Sequence, residues 1–557
     1  MASESRPAAI SAARTACVQL ENDFTVEIFR NQRKQINVVQ PLGEESDRAG
    51  LDRRELLLAA AALGLLGPSA ARAQGLPLGE AKSFSPDNVD RLARALAAKP
   101  YVPPTKSLPP EMTNLSYDEY RMLRFDRANL LWKGGRVVAE PMMRGGYFLD
   151  RVTLFSVENG RARPIGFDAK QFSYPPDRPM PRDPELGFSG VRFLGPINSP
   201  DVFDEIAVFQ GASYFRSLGR NQLYGLSARG LAIGSGGPAE QFPLFRSFWL
   251  ERSRDGGAVI LHALLDGPSI AGAYHMTIRT GQATTFDIDA RLYPRNEISV
   301  AGVAPMSSMF MFGPGSRRRF DDFRPAVHDS DGLEMWTGAG DRLWRPLANP
   351  TQVTVSAFAD VNPRGFGLMQ RARSFRDFSD AEVQYEKRPS LWVEPLEPWG
   401  AGTVQLLELP TDNETTDNIV AFWRPEQPWT AGHEVRLRYR LHWTDRSPTP
   451  NPPARVVATR TGASFAGSHP DGRRHYAIDF ERGDNLRDLT DIRAVAATSA
   501  GVLSPVRLQA ISGGAGAEAV RASFELAPPA SGAAELRLML ERGGQSISEN
   551  WLTRWTA

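Results

Sequence analysis

Runs that alternate between apolar and polar residues recur along this chain and limit the folds it can adopt. The clearest run, His433 to Trp443, places Val, Leu, Tyr, Leu and Trp at every second position, between arginines and a histidine. A period of two is typical of half-buried antiparallel strands. Similar runs lie at Tyr147 to Val157 and Val353 to Phe358. For about three hundred residues the chain lacks the long helical insertions that connect the strands of a parallel sheet. The pattern therefore predicts a large β-sandwich.

A proline-rich segment divides this pattern into two parts. Asp445 to Arg455, DRSPTPNPPAR, suits a linker or a sheet edge because proline cannot donate a ladder hydrogen bond. The roughly one hundred residues beyond it carry short, evenly spaced strand patterns, which are typical of an immunoglobulin-like sandwich. The length of 557 residues also exceeds one ordinary core. We therefore expect an all-β protein with a large N-terminal β-sandwich at 81–447 and a smaller C-terminal immunoglobulin-like β-sandwich at 454–557.

Two short helices are expected ahead of the strands. In Ser85 to Ala98, the first serine is followed by Pro86, which favours an N-cap with proline at the first helical position. In Ser116 to Leu123, Glu119 stands three residues after the serine, which is the spacing of a capping box. Both segments therefore have a residue pattern that starts a helix.

Residues 1–73 have the features of an export signal with a long leader. A twin-arginine pair at 53–54 precedes an apolar core from Leu56 to Leu66 that is too short to span a bilayer, and Ala-Arg-Ala at 71–73 resembles a cleavage site. This order predicts export to the periplasm by the twin-arginine route and removal of the segment. A buried alanine-rich helix is the alternative. The polar stretch 1–50 fits either a long leader or a translation start downstream of Met1.

The charge balance argues against several classes of partner. Lysine and arginine number 65 and aspartate and glutamate 64, a formal net charge of +1, so nothing indicates nucleic acid or an anionic membrane surface. The single cysteine, Cys17, cannot close an intramolecular disulfide. The glycine turns lack the lysine of a phosphate loop, and no GxSxG elbow occurs. We expect a neutral ligand, no cofactor and no metal ion.

One stretch, Tyr385 to Glu426, combines aromatic side chains with carboxylates. It contains Trp392, Trp399 and Trp423 together with Glu394, Glu397, Glu408, Glu414 and Asp417. Sugar rings stack on indoles, and carboxylates bind hydroxyls and donate protons to glycosidic oxygens. The same residue types also pack the cores of β-sandwiches. Composition alone leaves a carbohydrate surface and an ordinary core as alternatives.

Two acidic segments are candidates for chemistry. Val327 to Trp336, VHDSDGLEMW, crowds His328 and Asp329 at a turn. This segment suits a structural Asx turn, a metal site or a carboxylate that activates water, although it lacks the spacing of a calcium loop. Pro410 to Ile419, PTDNETTDNI, places acidic residues on a loop directly before a strand pattern, either as a solvated turn or as a functional loop.

A set of sequence blocks spans the chain from Leu115 to Trp555. The blocks are LSYDEYRMLRFD, GASYFRSLGRNQLYGLSARGLAI, HALLDGPSIAGAYHMTI, VAPMSSMFMFG, VHDSDGLEMWTGAG, NPRGFGLMQ, KRPSLWVEP, WGAGTVQLLELPTDNETTDNIVAFW, RVVATRTG and SENWLTRW. Together they resemble the periplasmic glucan biosynthesis proteins of the G/D family. The twin-arginine signal is more similar to the D branch, with Leu57 where many such signals have phenylalanine. The resemblance implies two β-sandwiches, a cleft in the larger one, and inverting endo-hydrolysis of the β-1,2-glucan backbone of osmoregulated periplasmic glucans.

The resemblance also implies roles for individual residues. Inverting glycosidases use one carboxyl as general acid and another as general base, about 6.5 to 9.5 Å apart. The matching motifs make Asp417 in NETTDN the general acid and Asp329 in VHDSD the general base. The residues that the resemblance places at sugar hydroxyls are Tyr385, Arg388, Glu414 and Thr415.

Residue chemistry adds four candidates to this set. Trp336, Trp392 and Trp399 could stack on the glucan, and His328 could orient Asp329. The general acid must hold its proton near neutral pH, so apolar or carboxylate-rich surroundings, including Glu414, should raise the pKa of Asp417. Asp329 must instead stay ionised.

Three functions stay open on the sequence. Some relatives in the family resemble transglycosylases that cyclise β-1,2-glucan, and the residues flanking VQYEKRP and DNETTDN depart from the family pattern. Transfer requires water to be excluded, whereas hydrolysis requires it to be admitted. The third alternative is a non-catalytic glucan-binding scaffold whose C-terminal domain contacts an inner-membrane glucan synthase. Linear β-1,2-glucan is the expected ligand in each case.

Overall fold

The computed structural model describes residues 76–104, 107–174, 183, 185–450, 452–463, 472–483, 486–512 and 518–556. The predicted export signal, residues 1–73, lies outside these ranges. The helices are α1 (Pro86–Ala97), α2 (Pro110–Thr113), α3 (Tyr117–Met122) and α4 (Phe375–Phe378), and the 3-10 helices are Arg127–Asn129, Ala169–Gln171, Arg317–Arg319 and Tyr385–Lys387. Across these ranges, no helix combines the length and the apolar character needed to cross a membrane.

Both helices expected near the start of the strands are confirmed. Helix α1 begins after Ser85, with proline at its first position. Helix α3 begins after Ser116, whose hydroxyl accepts a hydrogen bond from the backbone N–H of Glu119 (3.3 Å), while the Glu119 carboxylate accepts one from the backbone N–H of Ser116 (2.7 Å). These reciprocal bonds satisfy backbone donors that the first turn of a helix leaves free.

Strands fill most of the remaining described chain. Strands β1 to β26 are Lys82–Ser83, Arg124–Phe125, Val138–Met143, Thr153–Glu158, Arg161–Pro164, Phe172–Ser173, Phe188–Ser199, Val202–Gln210, Tyr214–Ser217, Ser227–Arg229, Ala232–Ile233, Leu244–Arg252, Ala258–Asp266, Ile270–Arg279, Thr284–Pro294, Ala301–Ser308, Phe310–Phe312, Val327–His328, Gly332–Trp336, Arg342–Pro346, Thr354–Val361, Gly365–Met369, Ser390–Pro395, Ala401–Glu408, Ile419–Pro425 and Val435–Thr444. Strands β27 to β35 are Val456–Ala463, Arg474–Glu481, Ile492–Thr498, Val502–Leu503, Arg507–Ser512, Glu518–Ala527, Ala533–Arg542, Gln545–Ser546 and Asn550–Thr556.

Two large sheets pack face to face and enclose the main core. The larger sheet has the order β1-β5-β4-β12-β13-β14-β15-β26-β23-β22-β19-β20-β35-β33-β29, with β34 paired to β33. The smaller has the order β21-β24-β25-β16-β10-β9-β8-β7-β3, with β11 paired to β16. Phe215 on β9 meets Phe286 on β15 and Trp443 on β26 at ring-centroid distances of 5.6 and 5.9 Å. The expected all-β sandwich is therefore confirmed.

The C-terminal strands form a second sandwich that shares a sheet with the first. A five-stranded sheet, β27-β28-β32-β30 with β31 paired to β32, packs over β29, β33 and β35. Strand β35 pairs in parallel with β20, with Trp551 opposite Trp344. Trp344, Met369 and Trp392 join the same core cluster as Trp551. The proline-rich segment connects β26 to β27, and the division into domains at 447 and 454 stays a prediction.

Candidate active site

A short strand pair positions the first predicted carboxylate. Strand β17 is antiparallel to β18, with Phe310 opposite His328. The backbone N–H of Asp329 donates to the carbonyl of Met309 (2.8 Å). The hydroxyls of Ser308 and Ser330 lie 2.8 Å apart. Asp329 is therefore fixed beside the backbone segment 308–310.

The second carboxylate reaches the same segment from a different strand. The Asn418 side chain donates to the carbonyl of Phe310 (3.0 Å) and accepts from its backbone N–H (2.8 Å). Ile419, which begins β25, lies opposite Ser308. Because Asp417 directly precedes Asn418, it too adjoins segment 308–310. The structure thus brings Asp329 and Asp417, which are 88 positions apart in the chain, to the same part of the sandwich.

Buried arginines link these carboxylates. Nη1 of Arg388 contacts Oδ1 of Asp329, and both side chains are buried. Nη2 of Arg216, on β9, lies 3.7 Å from Oδ2 of Asp417. The positive charge of Arg388 also acts on Asp417. Arg388 is therefore a buried partner of Asp329 whose charge also acts on Asp417, and it is not exposed to sugar hydroxyls.

Glu414 and Tyr385 form the more accessible side of this cluster. The Tyr385 hydroxyl donates to Oε2 of Glu414 (3.0 Å), and Nη1 of Arg324 donates to the same oxygen (2.7 Å). Arg324 also donates to Asp380 (2.9 Å). The Glu414 side chain is 29% exposed, whereas Tyr385 is buried. Of these groups, Glu414 gives the cluster contact with solvent.

Burial raises the pKa of Asp417, while the positive charges of Arg216, Arg229 and Arg388 oppose the shift. The direction is the one that a general acid requires. Its cause differs from the expected one, because the neighbouring charges that act on Asp417 are positive, whereas Glu414 was expected to contribute. Burial and the nearby Glu414 also raise the pKa of the Tyr385 phenol well above its ordinary value.

Two predicted positioning residues contact other partners. Nε2 of His328 lies 3.4 Å from Oδ1 of Asp331, and its ring stacks on Phe310 at 5.3 Å. Burial lowers the pKa of His328, so the imidazole is neutral at neutral pH and directed at Asp331 instead of Asp329. The hydroxyl and the backbone N–H of Thr415 both donate to Oδ1 of Asn413 (2.7 Å each), a bond within the loop.

The three predicted stacking tryptophans are not brought to the carboxylates. Trp392 is 1% exposed and packs in the C-terminal core cluster. Trp399 packs on Tyr439 and Trp423, with ring-centroid distances of 6.0 and 6.3 Å. Trp336 lies under the guanidinium of Arg342 (3.6 Å), at the end of β19 farther from Asp329. Each indole thus contacts other side chains of the protein: Trp392 is buried, whereas Trp336 and Trp399 are half-buried.

The structure adds residues that sequence reasoning missed. Arg216, Arg229 and Arg324 supply positive charge around the carboxylates, and Asp380 anchors Arg324. Arg216 lies in the otherwise apolar or small run Tyr-Phe-Arg-Ser, where all four residues are buried. A single arginine inside a buried strand is the signal that pointed to a functional or paired charge.

The predicted cleft is not seen at these groups. Asp329 is 0% and Asp417 8% exposed. A groove of about 570 Å³ lies elsewhere, between β21 and strands of the C-terminal sandwich. Among the residues that the structure describes, no cluster of three or more histidine, cysteine or acidic side chains could hold a metal ion.

Comparisons with a family model and with individual known proteins agree on one protein family. The family model described as "Periplasmic glucan biosynthesis protein, MdoG" matches residues 84–555. Glucans biosynthesis protein G of Rhodopseudomonas palustris BisA53 is 45% identical over 512 residues, which cover 91% of this chain and 100% of the relative. The protein of that name from Bradyrhizobium diazoefficiens is 44% identical over 515 residues, with the same coverage. The Vibrio cholerae O395 protein is 46% identical over 482 residues, 85% of this chain and 87% of the relative.

These relatives carry the name of protein G. The similarity to the D branch concerns the twin-arginine segment, which lies outside the described residues, and it stays a prediction.

Proposed function

The chain belongs to the family of periplasmic glucan biosynthesis proteins, and from this premise we propose that it cleaves linear β-1,2-glucan by inverting endo-hydrolysis. The observation that carries the proposal is the meeting of Asp329 and Asp417 beside one backbone segment, with Arg388 in contact with Asp329 and its charge acting on Asp417. An acid and a base on separate loops suit inversion, which needs two carboxyls in different protonation states.

The two aspartates take opposite roles in this reaction. Asp417 donates its proton to the glycosidic oxygen as the bond to the anomeric carbon breaks, and burial favours the protonated form that this step needs. Asp329 accepts a proton from the water that attacks the anomeric carbon. We assign Asp329 the ionised form that a general base requires, with Nη1 of Arg388 in contact with its Oδ1.

Substrate entry requires movement of the loop between β24 and β25. Both aspartates are buried, whereas residues 412–416 of that loop are exposed or partly exposed. Glu414 holds the loop to Tyr385 and Arg324. Sugar hydroxyls can replace these hydrogen bonds, so we propose that Glu414, Tyr385 and Thr415 contact the glucan once the loop is displaced.

Transglycosylation is the second candidate, and one observation favours it. The full burial of Asp329 and the near-complete burial of Asp417 exclude bulk water, which a transferase must do to protect its donor. In that case a hydroxyl of the same glucan replaces water and the product is a ring.

Incubation of the purified mature protein with linear β-1,2-glucan, followed by chromatography of the products, tests these proposals. Short linear oligomers support hydrolysis and rings support transfer. Absence of any product, with glucan binding retained in calorimetry, supports the scaffold that contacts an inner-membrane synthase.

Matched variants test the assignment of the two carboxylates. Asp417→Asn and Asp329→Asn should each lower kcat/KM at least about 100-fold, the lower range for general acid–base groups. Asp412→Asn on the same loop and Asp321→Asn should leave it within about twofold, because both side chains are exposed, where single substitutions usually have small effects. Full activity in either of the first two variants excludes that residue from catalysis.

The family name places the protein in the periplasm. We further propose that residues 1–73 direct export by the twin-arginine route. Replacement of both arginines at 53–54 by lysine should leave the full-length precursor in the cytoplasm, as fractionation and immunoblotting would detect.

A further inference from the structure

A groove of about 570 Å³ lies between the edge of the smaller sheet and the C-terminal end of the larger one. One wall is β21, through residues 355–358, and the floor is formed by β33, β35 and the end of β29. Its volume is within the range of protein ligand sites. None of the residues assigned to the carboxylate site lines it.

Strand β21 is an edge strand without the usual protection. It pairs with β24 on one side, and no other strand pairs with it among the described residues. Its outward-facing positions carry valine or alanine, and Val355 and Val361 are 49% and 57% exposed. Residues 354–361 contain no lysine, arginine or proline. Natural edge strands normally carry such residues, because unpaired backbone groups and apolar side chains otherwise recruit another strand.

The one charged residue of β21 does not protect this edge. The Asp360 carboxylate accepts hydrogen bonds from the backbone N–H of Gly338 (3.1 Å) and of Val361 (2.8 Å). Its side chain is therefore held by backbone donors at the far end of β21, beyond residues 355–358 that line the groove.

The groove floor carries positive charge that is accessible. Arg345 is buried and paired with Glu408 (3.1 Å), so it is not available to a ligand. Arg537 is exposed and donates to Asn550 (2.7 Å), and within the described chain no carboxylate pairs with it. Arg554, also exposed, lies 3.6 Å from Glu535. Two accessible arginines against one glutamate favour an acidic partner.

We propose that this groove binds an extended acidic segment of a partner polypeptide, which adds to β21 as a further strand. Backbone hydrogen bonds to β21 supply affinity, apolar side chains of the segment cover the exposed valines, and its carboxylates face Arg537 and Arg554. At the far end of β21 the backbone of Val361 and Asn362 lies against Gly338, so the paired segment covers residues 354–359 and spans about 20 Å.

Two other occupants fit the groove less well. A second copy of this chain would bring its own β21, whose one carboxylate, Asp360, is held by backbone donors, so it offers no acidic side chain to Arg537 and Arg554. A glucan would find no exposed aromatic face, since Phe358, the one aromatic residue of the lining, is partly buried against the main core.

The test uses full-length mature protein and a fluorescein-labelled octapeptide of alternating valine and glutamate, with blocked ends. Fluorescence anisotropy should show saturable binding at least about tenfold tighter than that of the matched valine–lysine octapeptide. Hydrogen exchange should show added protection at residues 354–359. N-methylation of one alternate set of peptide amides should abolish binding, whereas methylation of the other set should be tolerated, because only alternate amides face the partner strand.

Charge reversal tests the groove itself. Arg537→Glu combined with Arg554→Glu should reverse the preference between the two peptides, while Arg91→Glu combined with Arg254→Glu, an equal charge change at exposed positions outside the lining, should not. Glucan products should be unchanged in both variants, so this proposal can fail independently of the proposed function. Equal binding of both peptides, tolerance of both methylated sets, displacement by linear glucan, or a dimer that buries residues 354–359 would each overturn it.

Discussion

Burial and positive charge act in opposite directions on Asp417. Removal from water raises the pKa of its carboxyl, and the arginines at 216, 229 and 388 lower it, with burial the larger effect. A carboxyl held in this balance can keep a proton at a pH where an exposed aspartate would lose it. The same balance makes the residue costly to the fold once it ionises.

Asp417→Asn should therefore separate activity from stability. An aspartate with a raised folded pKa contributes stability at low pH, and this contribution is lost as the pH rises through the folded pKa. Near pH 7 the neutral amide avoids both the cost of burying an ionised carboxylate and the cost of protonating it, so the variant should melt at a higher temperature while losing activity. Calorimetry at pH 7 measures this, with Asp412→Asn as the exposed control. A lower melting temperature would mean that attraction to the arginines outweighs burial.

Arg216 should set the upper limit of the active pH range. Its guanidinium, 3.7 Å from Asp417, lowers the pKa of that carboxyl. Arg216→Gln should remove this effect, raise the pKa further and move the alkaline fall of kcat/KM to higher pH. A pH profile of β-1,2-glucan cleavage provides the measurement, and Arg220→Gln, on the following loop, is the control. An unchanged alkaline limb would show that Asp417 is not the group that titrates.

At this scale the sequence singled out acidic residues that the fold places close together and tryptophans that it does not, and the roles assigned to both sets stay predictions. The motifs around Asp329 and Asp417 identified two loops that the fold brings together. Trp392 and Trp399 lie in equally distinctive segments, yet their indoles pack against protein. The chemical type of a residue determines which contacts its side chain can make. The direction in which the side chain points depends on which face of the strand is covered by other parts of the protein. That information comes from strands distant in the sequence.

Helix α1 covers a polar cluster on the outer face of the larger sheet. Nδ1 of His262 lies 2.8 Å from Nδ1 of His275, whose Nε2 lies 3.1 Å from Asp90 on α1. Asp90 also pairs with Arg291 on β15 (3.0 Å), and Glu251 on β12 is 3.8 Å from His262. A hydrogen bond between two Nδ1 atoms requires one of them to lack a proton. Docking of the helix therefore depends on the neutral form of at least one histidine.

Acid should weaken this arrangement over a defined range. Burial, with the nearby His275, lowers the pKa of His262 to about 3. A histidine with a lowered folded pKa contributes stability that is present above its unfolded pKa of about 6.5 and is lost as the pH falls toward the folded value. The loss is roughly 1.4 kcal/mol for each pH unit within that window.

His262→Gln should therefore cost stability at pH 7 and progressively less as the pH falls to 4. Urea denaturation at several pH values measures the difference in unfolding free energy. His433→Gln, in an exposed loop, is the control for loss of a histidine outside this cluster. If the His262 difference is constant across these pH values, the imidazole does not titrate on unfolding in this range.

Helices and strands were predicted best where residues within or next to the element are enough to specify it. Helix α1 and helix α3 follow from capping residues next to them in the chain, and β26 follows from alternation within eleven residues. Tyr147 to Val157 was less accurate, because β4 begins only at Thr153. In the first half of that stretch the backbone makes only isolated bridges, Phe148 with Gly145 and Val152 with Phe188, and local sequence does not show that no continuous ladder forms there.

The larger sheet contains strands from both sandwiches, so the two are joined through backbone hydrogen bonds. The proline-rich segment alone does not predict this connection. Strand β35 joins the larger sheet from the end of the chain, and Trp344 and Trp392 from the first sandwich pack with Trp551 from the second. A segment of prolines shows where a chain leaves one sheet. It does not show where a strand from a hundred residues later returns. The N-terminal and C-terminal strands should therefore unfold together.

Arg371 is the residue through which this coupling can be measured. Its guanidinium donates to both oxygens of Glu549 (2.7 and 2.8 Å), to Glu334 (2.7 Å) and to the carbonyl of Val456 (2.7 Å), and it lies 3.5 Å from the ring centre of Trp344. Arg371→Met leaves two buried carboxylates without their cation, which should cost about 3–5 kcal/mol of unfolding free energy. Arg436→Met, which breaks a surface pair with Asp289, should cost less than about 1 kcal/mol.

Guanidinium denaturation followed by tryptophan fluorescence and by circular dichroism distinguishes coupling from a local effect. If Arg371 joins the two sandwiches, the variant should lose stability in one transition that both probes report at the same midpoint. Adding Glu334→Gln and Glu549→Gln removes the unpaired charges and should restore much of the loss, because the penalty arises from buried charge without a partner. Two separate transitions in the unmodified protein would instead mean that the shared sheet does not couple them, and that the boundary near the proline-rich segment divides two independent folding units.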